Sequence, residues 1–479
     1  IPGVSIERFA AADDPDHFGV EGSGAVIRGM TATRSEFNGR DSFSANSGRG
    51  LSFQDVPPEL MGSVRVYKNQ SADMIEGGIG GTVSLHTKLP FDNEGRVISF
   101  SADTTYNDLS ETTVPSISGL YSENWNTDLG RFGFLASLAN NRVTSRSDSL
   151  QSEVLLTRDD LVTDEQGNPV SVISPNGGNM AQKTDERERL GISLAAQWES
   201  LDRKTLVTGQ FLRSDADLTW TENSVSYQTN MFADDGSIRR ESFPLDGMPG
   251  YEFDDSGTFE KGYITHTPAG GWRSNGADQD RVPVAADWSG NPVPQFGHLH
   301  QTTTRSKEQS TLVEDYAINI KHRPNDSWAH EVDIQFINAE TRDDDVTLFL
   351  GMFANQFLDL TGDVPNIGYL EPWNGHPGGN GQESNENYFE DPSSYYWRSA
   401  MDHYERSEGD SFAVRYDVKY TLDDGFISDI KAGVRFAERE QTVRYSSWNW
   451  QFISDFHTTD VDGDGFAAAW LDLPMSASL

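Results

Sequence analysis

The segment Phe412–Tyr420, with the sequence FAVRYDVKY, decides the fold class because its apolar and polar residues alternate strictly. Successive side chains of a β-strand point to opposite faces, so a period of two predicts a strand with one apolar and one polar face. The same period recurs at residues 190–198, 316–321, 332–336 and 430–436. The sequence therefore predicts a protein built mostly of amphipathic strands.

The connections between the predicted strands alternate in length. About nine strands are predicted after residue 95, near residues 96–106, 114–124, 131–145, 187–200, 203–215, 311–323, 328–341, 411–422 and 427–445. Short links are expected near residues 126–130, 201–204, 323–328 and 423–426. Long links are expected over 146–186, 216–310, 342–410 and from 446 onward, and the link at 107–113 belongs to this second set although it is short.

Outer-membrane β-barrels have tight turns at one end and large loops at the other, so this alternation of link lengths predicts a transmembrane antiparallel barrel. A secreted all-β protein is the alternative.

Composition excludes several other classes. The 479 residues carry 75 acidic residues against 37 Lys and Arg, a net charge of −38. Nucleic-acid binding depends on cationic neutralisation of phosphates, so a nucleic-acid partner is excluded. The chain contains no cysteine, which excludes thiol catalysis and a disulfide framework. It has no run of about 18 apolar residues, the length that a transmembrane helix needs.

The chain is expected to be part of a longer protein. Single-chain bacterial barrels have an even number of strands, so a tenth strand is expected beyond Leu479. The first residues, IPGVSIERF, lack the basic and apolar regions of a signal peptide.

Residues 1–92 differ from the rest and predict a small α+β domain. They contain short β-like runs and the Asn-Gly turn of FNGR (Phe37–Arg40). DVPPEL (Asp55–Leu60) predicts a loop that runs into a short helix with proline at its start. In EGGIGG (Glu76–Gly81), four glycines allow tight turns and close packing where a Cβ would clash.

These features together resemble those of the TonB-dependent outer-membrane receptors, in which an N-terminal plug fills a barrel. The resemblance rests on PGVSI (Pro2–Ile6), IRGM (Ile27–Met30), FNGR (Phe37–Arg40), the run from Pro57 to Asp92, and YNDLSE (Tyr106–Glu111). It is strongest to the subfamily of xanthomonads and caulobacters that is linked to carbohydrate uptake. The resemblance implies the C-terminal part of a plug at residues 1–92 and the N-terminal part of a barrel, with long extracellular loops, at residues 93–479.

The function implied by the resemblance is active uptake across the outer membrane of a Gram-negative bacterium, without enzymatic activity. The implied partners are outer-membrane lipid, TonB through an N-terminal segment outside this chain, and an oligosaccharide. A ferric-siderophore receptor is the main alternative, and the acidity of the outer loops disfavours an anionic siderophore. A secreted all-β carbohydrate-active enzyme is the alternative from another class.

The resemblance also implies roles for individual residues. Contacts between plug and barrel are expected at Arg28, Arg40 and Glu76. Turns or close packing of the plug are expected at Gly29, Gly39, Gly77, Gly78, Gly80 and Gly81. Ligand contacts are expected at Thr33, Arg34, Phe43, Asn46, Trp373, Tyr396, Trp397 and Trp448. Aromatic faces cover the C–H face of a sugar ring, and planar polar side chains bind its hydroxyls, which is the general pattern of such sites.

One segment has part of a calcium-loop pattern. Asp460, Asp462 and Asp464 occupy the first alternate positions of such a loop, but Leu471 stands where a bidentate Glu is expected. Calcium in an outer loop is therefore the one cofactor considered, and a solvated acidic turn is the alternative. His298 and His300 of HLH are expected to form a surface pair in a loop.

Overall fold

The fold is taken from a computed structural model of the protein. It describes residues 1–7, 24–45, 52–227, 242–245, 247–265, 284–286, 292–294, 298–371, 388–390, 392, 395–422, 426–453 and 469–470. In this part of the chain, no helix is long and apolar enough to cross a membrane.

The described residues form β-strands and three 3-10 helical turns. The N-terminal strands are β1 (Val4–Glu7), β2 (Gly24–Ile27), β3 (Thr33–Phe37), β4 (Arg40–Asp41), β5 (Met61–Tyr67) and β6 (Gly81–Thr87). The 3-10 turns are Phe53–Asp55, Pro58–Leu60 and Pro90–Asp92. We call these strands and turns together the N-terminal unit.

The later strands range from two residues to 32 residues in length. They are β7 (Val97–Asn107), β8 (Thr112–Thr127), β9 (Gly130–Ser152), β10 (Leu155–Thr163), β11 (Pro169–Pro175), β12 (Gly178–Glu199), β13 (Thr205–Tyr227), β14 (Phe243–Pro244), β15 (Glu252–Phe253), β16 (Phe259–Thr265), β17 (Val284–Ala286), β18 (Pro292–Pro294), β19 (His298–His322), β20 (Trp328–Asp359), β21 (Asn366–Leu370), β22 (Tyr396–Thr421), β23 (Asp429–Tyr445), β24 (Asn449–Phe452) and β25 (Ala469–Trp470).

The long strands form one antiparallel sheet in chain order. The order is β7-β8-β9-β12-β13-β19-β20-β22-β23, and each strand pairs with the one before it. Strands β7 and β23 are the edges, so the sheet is open over the described residues. These strands confirm the nine that the alternation of apolar residues predicts.

The connections confirm the predicted alternation of lengths. Residues 128–129, 200–204, 323–327 and 422–428 link strands at one end, which we call the short-turn end. At the opposite, long-loop end the links are 108–111, 153–177, 228–297 and 360–395. Only the first of these is short, as predicted.

Several strands are much longer than predicted, and all extend toward the long-loop end. Strand β20 was expected at 328–341 and ends at Asp359, whereas β19 was expected from 311 and begins at His298. Strand β22 was expected from 411 and begins at Tyr396. At residues 342–345 (RDDD), where the β20 extension begins, both faces of the sheet are polar, so the period of two that marks a strand disappears there.

The two faces of the large sheet differ in chemistry. The outer face carries exposed apolar side chains near the short-turn end, and Phe336 is 42% exposed. We call this surface the apolar belt; its members include Ile98, Phe100, Ile117, Tyr121, Phe134, Leu138, Leu190, Leu194, Tyr316, Ile318, Ile334, Phe336, Phe412, Tyr416, Val434 and Phe436. The inner face is mostly polar.

The N-terminal unit lies against the inner face. Its mixed sheet has the order β4-β3-β6-β5, with β3 parallel to β6, and β1 pairs with β2 apart from it. Ile27 and Phe37 of the unit share a buried cluster with Val313 and Ile337 of the large sheet. The predicted α+β class is wrong for the described part of this unit, because its helical elements are 3-10 turns only.

Candidate functional site

Charged and polar side chains join the N-terminal unit to the inner face. Arg40 donates from Nε and Nη2 to the two carboxylate oxygens of Asp333, at 2.7 and 3.0 Å. Its Nη1 donates to Oε1 of Gln210 at 2.9 Å. Asn141 of β9 donates from Nδ2 to Oε1 of Glu59 at 2.7 Å. Arg40 and Asp333 are both largely buried, so this ion pair lies within the contact surface.

A second set of bonds joins β12 and β13 to the 3-10 turn Phe53–Asp55. Arg187 of β12 donates to Oε1 of Gln54 at 2.9 Å, and Arg189 donates to the Gln54 carbonyl. Ser214 of β13 donates to the carbonyl of Asp55 at 2.6 Å. Water can replace polar bonds of this kind, whereas separating a dry apolar contact exposes hydrocarbon. The contact surface thus combines these replaceable polar bonds with the buried apolar cluster that joins Phe37 to Val313 and Ile337.

The segment Ser71–Glu76 is held by the two last strands of the sheet. Lys431 Nζ lies 3.1 Å from Oδ2 of Asp73, and Arg415 Nη2 donates to the carbonyl of Asp73 at 2.7 Å. The hydrogen bond from Ser71, followed by that from Lys431, lowers the pKa of the exposed Asp73 carboxyl. Since Asp73 and Lys431 are exposed, each contact is weak, at about 0–1 kcal/mol.

The residues expected to contact the large sheet have different surroundings. Arg40 lies in the interface, as described above. Arg28 donates instead to Asn69 of the same unit, at 3.3 Å, so its expected contact with the large sheet is wrong over the described residues. The carbonyl of Glu76 accepts a bond from Arg34 at 2.8 Å, again within the unit.

The glycine-rich segment packs too closely for side chains at two positions. A Cβ on Gly78 would lie 2.4 Å from the carbonyl oxygen of Gly81, and φ of Gly78 is +70°. A Cβ on Gly81 would lie 2.5 Å from the carbonyl oxygen of Tyr67, and φ of Gly81 is +144°. Both conditions strongly favour glycine. Of the other predicted glycines, Gly77 and Gly80 lie in turns beside this contact. Gly29 and Gly39 lie at the tight turns that follow β2 and β3.

Beyond the N-terminal unit, toward the long-loop end, the inner face carries a cluster of charged and aromatic side chains. Nε and Nη2 of Arg305 donate to Asp345, and Nε lies 2.9 Å from Oδ1 of that fully buried carboxylate. The Arg305 guanidinium lies 5.0 Å from the ring centre of Trp220, and Lys183 Nζ lies 4.3 Å from the same ring. We call Lys183, Trp220, Arg305, Lys307, Asp343, Asp345, His403 and Trp448 the distal cluster.

The second half of the distal cluster surrounds Trp448. Its ring stacks on His403 with centres 4.3 Å apart and an angle of 12° between the planes. Lys307 Nζ lies 2.7 Å from Oδ2 of Asp343. Oδ1 of Asp343 and Nδ1 of His403 are buried and have no hydrogen-bond partner among the described residues. Stacked aromatic faces beside free polar atoms suit a ligand with both apolar and hydroxyl surfaces.

Four predicted ligand residues lie on or near the distal half of the inner face, and one of them, Trp448, belongs to the distal cluster. Trp448 is 36% exposed and belongs to the distal cluster. Phe43 is buried beneath the guanidinium of Arg439, 3.7 Å from the ring centre. Tyr396 is buried against Gly351, and both Tyr396 and Trp397 belong to β22 rather than to a loop. Phe43 and Tyr396 are thus both shielded from solvent in this arrangement, and their ligand roles stay predictions.

Thr33 and Arg34 bond within the N-terminal unit. Thr33 donates to the carbonyl of Ala25 at 2.9 Å. Arg34 contacts Glu36 at 3.1 Å and Asp41 at 2.8 Å. These bonds join parts of the N-terminal unit, and the expected ligand contacts of both residues stay predictions. The remaining predicted residues lie outside the described residues: Asn46, Trp373, Asp460, Asp462 and Asp464.

The histidine pair is buried and belongs to β19, so its expected position in a surface loop is wrong. His298 stacks on Tyr227 at 3.7 Å, and His300 meets the edge of Tyr369 at 5.1 Å. Both histidines are almost completely shielded from solvent. Over the residues that the structure describes, no group of three or more His, Asp and Glu could hold a metal ion.

Two adjoining cavities lie near the short-turn end, between the N-terminal unit and the large sheet. The first measures about 760 Å³ and is lined by residues that include Arg40, Asp333 and Arg435. The second measures about 850 Å³ and is lined by residues that include Lys431 and Lys419. Ile75 lines both cavities, so the segment Ser71–Glu76 stands at their boundary.

Sequence reasoning missed most of the distal cluster. All its members except Trp448 lie on the strand extensions, which were assigned to loops. Spacing by two residues, as in Arg305 and Lys307 or in Asp343 and Asp345, is the signal that could have placed them on one face of a strand.

The fold and site define an open antiparallel sheet with an apolar outer face and a polar inner face that carries an N-terminal mixed sheet. No protein-family profile and no curated protein matches the chain. Among solved structures, it is similar to a copper transporter, OprC, at 13% identity and a TM-score of 0.23, over 93% of this chain and 56% of that one. This chain thus spans little more than half the length of that structure.

Two further solved structures are similar at the same level. One is a double mutant of the Serratia marcescens hemophore receptor HasR in complex with its hemophore HasA and heme, at 8% identity and a TM-score of 0.19, over 93% of this chain and 76% of that one. The other is the outer membrane transporter YddB from Escherichia coli, at 10% identity and a TM-score of 0.19, over 95% and 79%. At these TM-scores the similarities carry no argument about function.

Proposed function

We propose that the chain is part of a TonB-dependent transporter in the outer membrane of a Gram-negative bacterium. The large sheet would form part of the barrel, and the N-terminal unit would be the C-terminal part of its plug. The observation that carries this proposal is the apolar belt on the outer face, opposite an inner face that is mostly polar. In a water-soluble protein, an antiparallel sheet normally turns its apolar face toward the core and its polar face toward water.

The apolar belt is continuous across neighbouring strands. Leu194, Phe211, Tyr316, Phe336 and Phe412 face one another in register on five successive strands. The rings of Phe211 and Tyr316 are 4.9 Å apart. Monomeric soluble proteins rarely expose contiguous apolar surface of more than a few hundred Å², so a belt of this extent supports contact with lipid.

Both borders of the belt agree with a membrane position. At the short-turn end it is bordered by aromatic residues, among them Trp125 and Trp328, as expected at a membrane interface. At the other border the outer face carries ion pairs such as Arg213–Glu314. From Trp328 to Phe336 the strand rises by roughly 27 Å, which suits a tilted strand in the hydrocarbon layer.

An oligosaccharide is the proposed ligand, and the distal cluster is its proposed site. Trp448 offers a partly exposed ring, and Asp343 and His403 offer polar atoms without partners in the described chain. TonB would act through a segment that precedes this chain. The polar contact of Arg40 with Asp333 supports a plug that can move, because water can replace its bonds.

The first test is location and assembly of the full-length protein. We expect it in the outer-membrane fraction, with a gel mobility that changes on boiling, as for folded barrels. Uptake of a labelled oligosaccharide should require TonB. A water-soluble protein without the mobility change would refute the transporter and favour a secreted all-β protein.

The second test addresses the ligand site. Trp448→Ala is expected to weaken oligosaccharide binding about tenfold or more, since a stacked aromatic contact of this kind often dominates a binding site. Trp450→Ala is the matched control, because Trp450 is more exposed and packs on Phe349 outside the distal cluster. Equal effects of the two substitutions would argue against this site.

A further inference from the structure

The inner face of the last two strands carries a line of basic side chains. Lys431, Arg435 and Arg439 follow at every fourth position of β23, and Arg415 and Lys419 lie on β22 beside them. Residues four apart on a strand share one face and lie about 13 Å apart. We call these five residues the basic track.

Contacts with the N-terminal unit establish that the basic track lies on the inner face. At the short-turn end, Lys431 and Arg415 contact Asp73. Further along, the guanidinium of Arg439 lies over Phe43. The basic track therefore runs beside the N-terminal unit for most of its length.

The basic track also borders open space. Arg415 and Arg435 line both cavities described above, and Lys419 and Lys431 line the second. The side chains can thus meet a solute that enters these cavities.

The sign of the charge is reversed relative to the rest of the molecule. The chain as a whole has 75 acidic residues against 37 Lys and Arg. On the inner face of β22 and β23, between residues 405 and 445, the five cations outnumber the carboxylates Glu405, Asp417 and Asp429. On the outer face of the same strands the balance is reversed, with Glu408, Asp410, Glu438 and Glu440 against Arg406 and Arg444.

The cations are only partly neutralised. Arg415 pairs with Asp417, and Lys419 lies 2.9 Å from Asp429, but these side chains are partly exposed. Arg435 has no ion pair within 4 Å among the described residues. The lining of the second cavity has six Lys and Arg side chains against four carboxylates. A cleft with an excess of one sign of charge between low-dielectric walls concentrates solutes of the opposite sign.

We propose that the basic track guides an anionic, carboxylate-bearing solute past the N-terminal unit. The inference rests on the proposed function and names the substrate class: an acidic oligosaccharide rather than a neutral one. A ferric carboxylate chelate has the same charged groups, and the experiment separates these two sources.

The test is uptake by cells that produce the full-length protein and TonB. The labelled probes are an oligogalacturonate, a neutral glucose oligomer of the same length, and ferric citrate. The variants are Arg435→Lys, Arg435→Gln and Arg435→Glu. The matched control is Arg444→Gln, because Arg444 lies on the outer face of the same strand and pairs with Glu408 at 3.0 Å.

We expect oligogalacturonate uptake to fall about threefold to tenfold in Arg435→Gln, and further in Arg435→Glu, because charge steering depends on the sign of the local field. Arg435→Lys and Arg444→Gln should retain uptake. Preference for ferric citrate with the same dependence on Arg435 would support the basic track and assign the chelate as its solute.

The inference is overturned if the neutral oligomer enters as fast as the acidic one, or if Arg435→Glu leaves uptake of both acidic probes unchanged. Each variant must show the boiling-dependent mobility change, so that loss of assembly is recognised. Failure of the proposed function is a separate result: the wild-type protein would then be absent from the outer membrane, or its uptake would not depend on TonB.

Discussion

Arg40 of the N-terminal unit binds both carboxylate oxygens of Asp333 on the seventh strand of the large sheet, at 2.7 and 3.0 Å. The two residues are 293 positions apart in the chain. The pair is planar and bidentate, a geometry that Arg provides and Lys does not. Asn319 donates to the same carboxylate at 2.8 Å, so Asp333 is the centre of a polar network between the two parts.

Asp333→Asn is expected to loosen the N-terminal unit, because it leaves the guanidinium of Arg40 largely buried without its counter-charge. Breaking such a pair by removing one partner costs about 3–5 kcal/mol. Hydrogen exchange of the amides in β3 and β6, in the detergent-solubilised full-length protein, measures the loss. The double variant with Arg40→Met should recover part of it, and a double-mutant cycle without coupling would contradict the assignment.

Arg142→Gln is the control for the ion pair. Arg142 lies 2.8 Å from Glu188 on the outer face, with both side chains largely exposed. Exposed pairs contribute about 0–1 kcal/mol, so exchange in the N-terminal unit should remain unchanged.

Gly78→Ala is expected to destabilise the N-terminal unit by about 2 kcal/mol or more, through a forced φ and a collision with backbone. The new Cβ would lie 2.4 Å from the carbonyl oxygen of Gly81, an atom that cannot move without disturbing β6. The measurement is the rate of limited proteolysis of this unit.

Gly29→Ala is the matched control for the glycine. Its φ is +79°, and an added Cβ would meet no atom within 4 Å. The expected cost is therefore only the conformational one, about 1 kcal/mol. Equal proteolysis of the two variants would contradict a role for close packing at Gly78.

The sequence predicts the large sheet well because lipid-facing and inward-facing residues alternate within the apolar belt. At Phe412–Tyr420 every second residue is apolar, and the strand is present as predicted. Prediction fails where this contrast ends. Asp343, Asp344 and Asp345 lie in β20, but both faces there are polar, so the segment has the composition of a loop.

The site is less predictable because local patterns do not determine which surfaces meet. FNGR predicts the turn before Arg40, but not its contact with Asp333. Arg28 is equally basic and follows a strand in the same way, yet it bonds to Asn69. Both outcomes depend on how the N-terminal unit is seated on the large sheet, which is a long-range property.

Val332→Arg tests the orientation of the apolar belt. Val332 lies on the outer face between Ile320 and Tyr416, halfway from Trp328 to Phe336. An arginine near the middle of the hydrocarbon layer costs about 2–4 kcal/mol in a transmembrane barrel, and little near its border. We therefore expect a lower midpoint in urea unfolding from lipid vesicles and less assembled protein.

Asn338→Arg is the control for the belt, six residues further along the same face. Asn338 bonds to Asp410 at 3.0 Å, where the outer face becomes polar. An arginine there meets a carboxylate and water, so unfolding should change little. If Asn338→Arg were as damaging as Val332→Arg, the apolar belt would not mark the lipid-facing region.

Glu36 predicts a pH dependence of the N-terminal unit. Burial raises the pKa of its carboxyl above the usual 4.5, and Arg34 only partly opposes this effect. Because the folded pKa is the higher one, the contribution of Glu36 to stability is fully present below pH 4.5 and is lost as pH rises through the raised pKa. Glu36→Gln keeps an acceptor for Arg34 and removes the buried charge, so we expect a higher melting temperature at pH 8 and a smaller difference between the melting temperatures at pH 8 and pH 4.5.

Calorimetry of the detergent-solubilised protein measures both melting temperatures, with the exposed Glu94→Gln as the control. A melting temperature of Glu36→Gln below that of the wild type at pH 8 would mean that the ion pair with Arg34 outweighs the cost of burial.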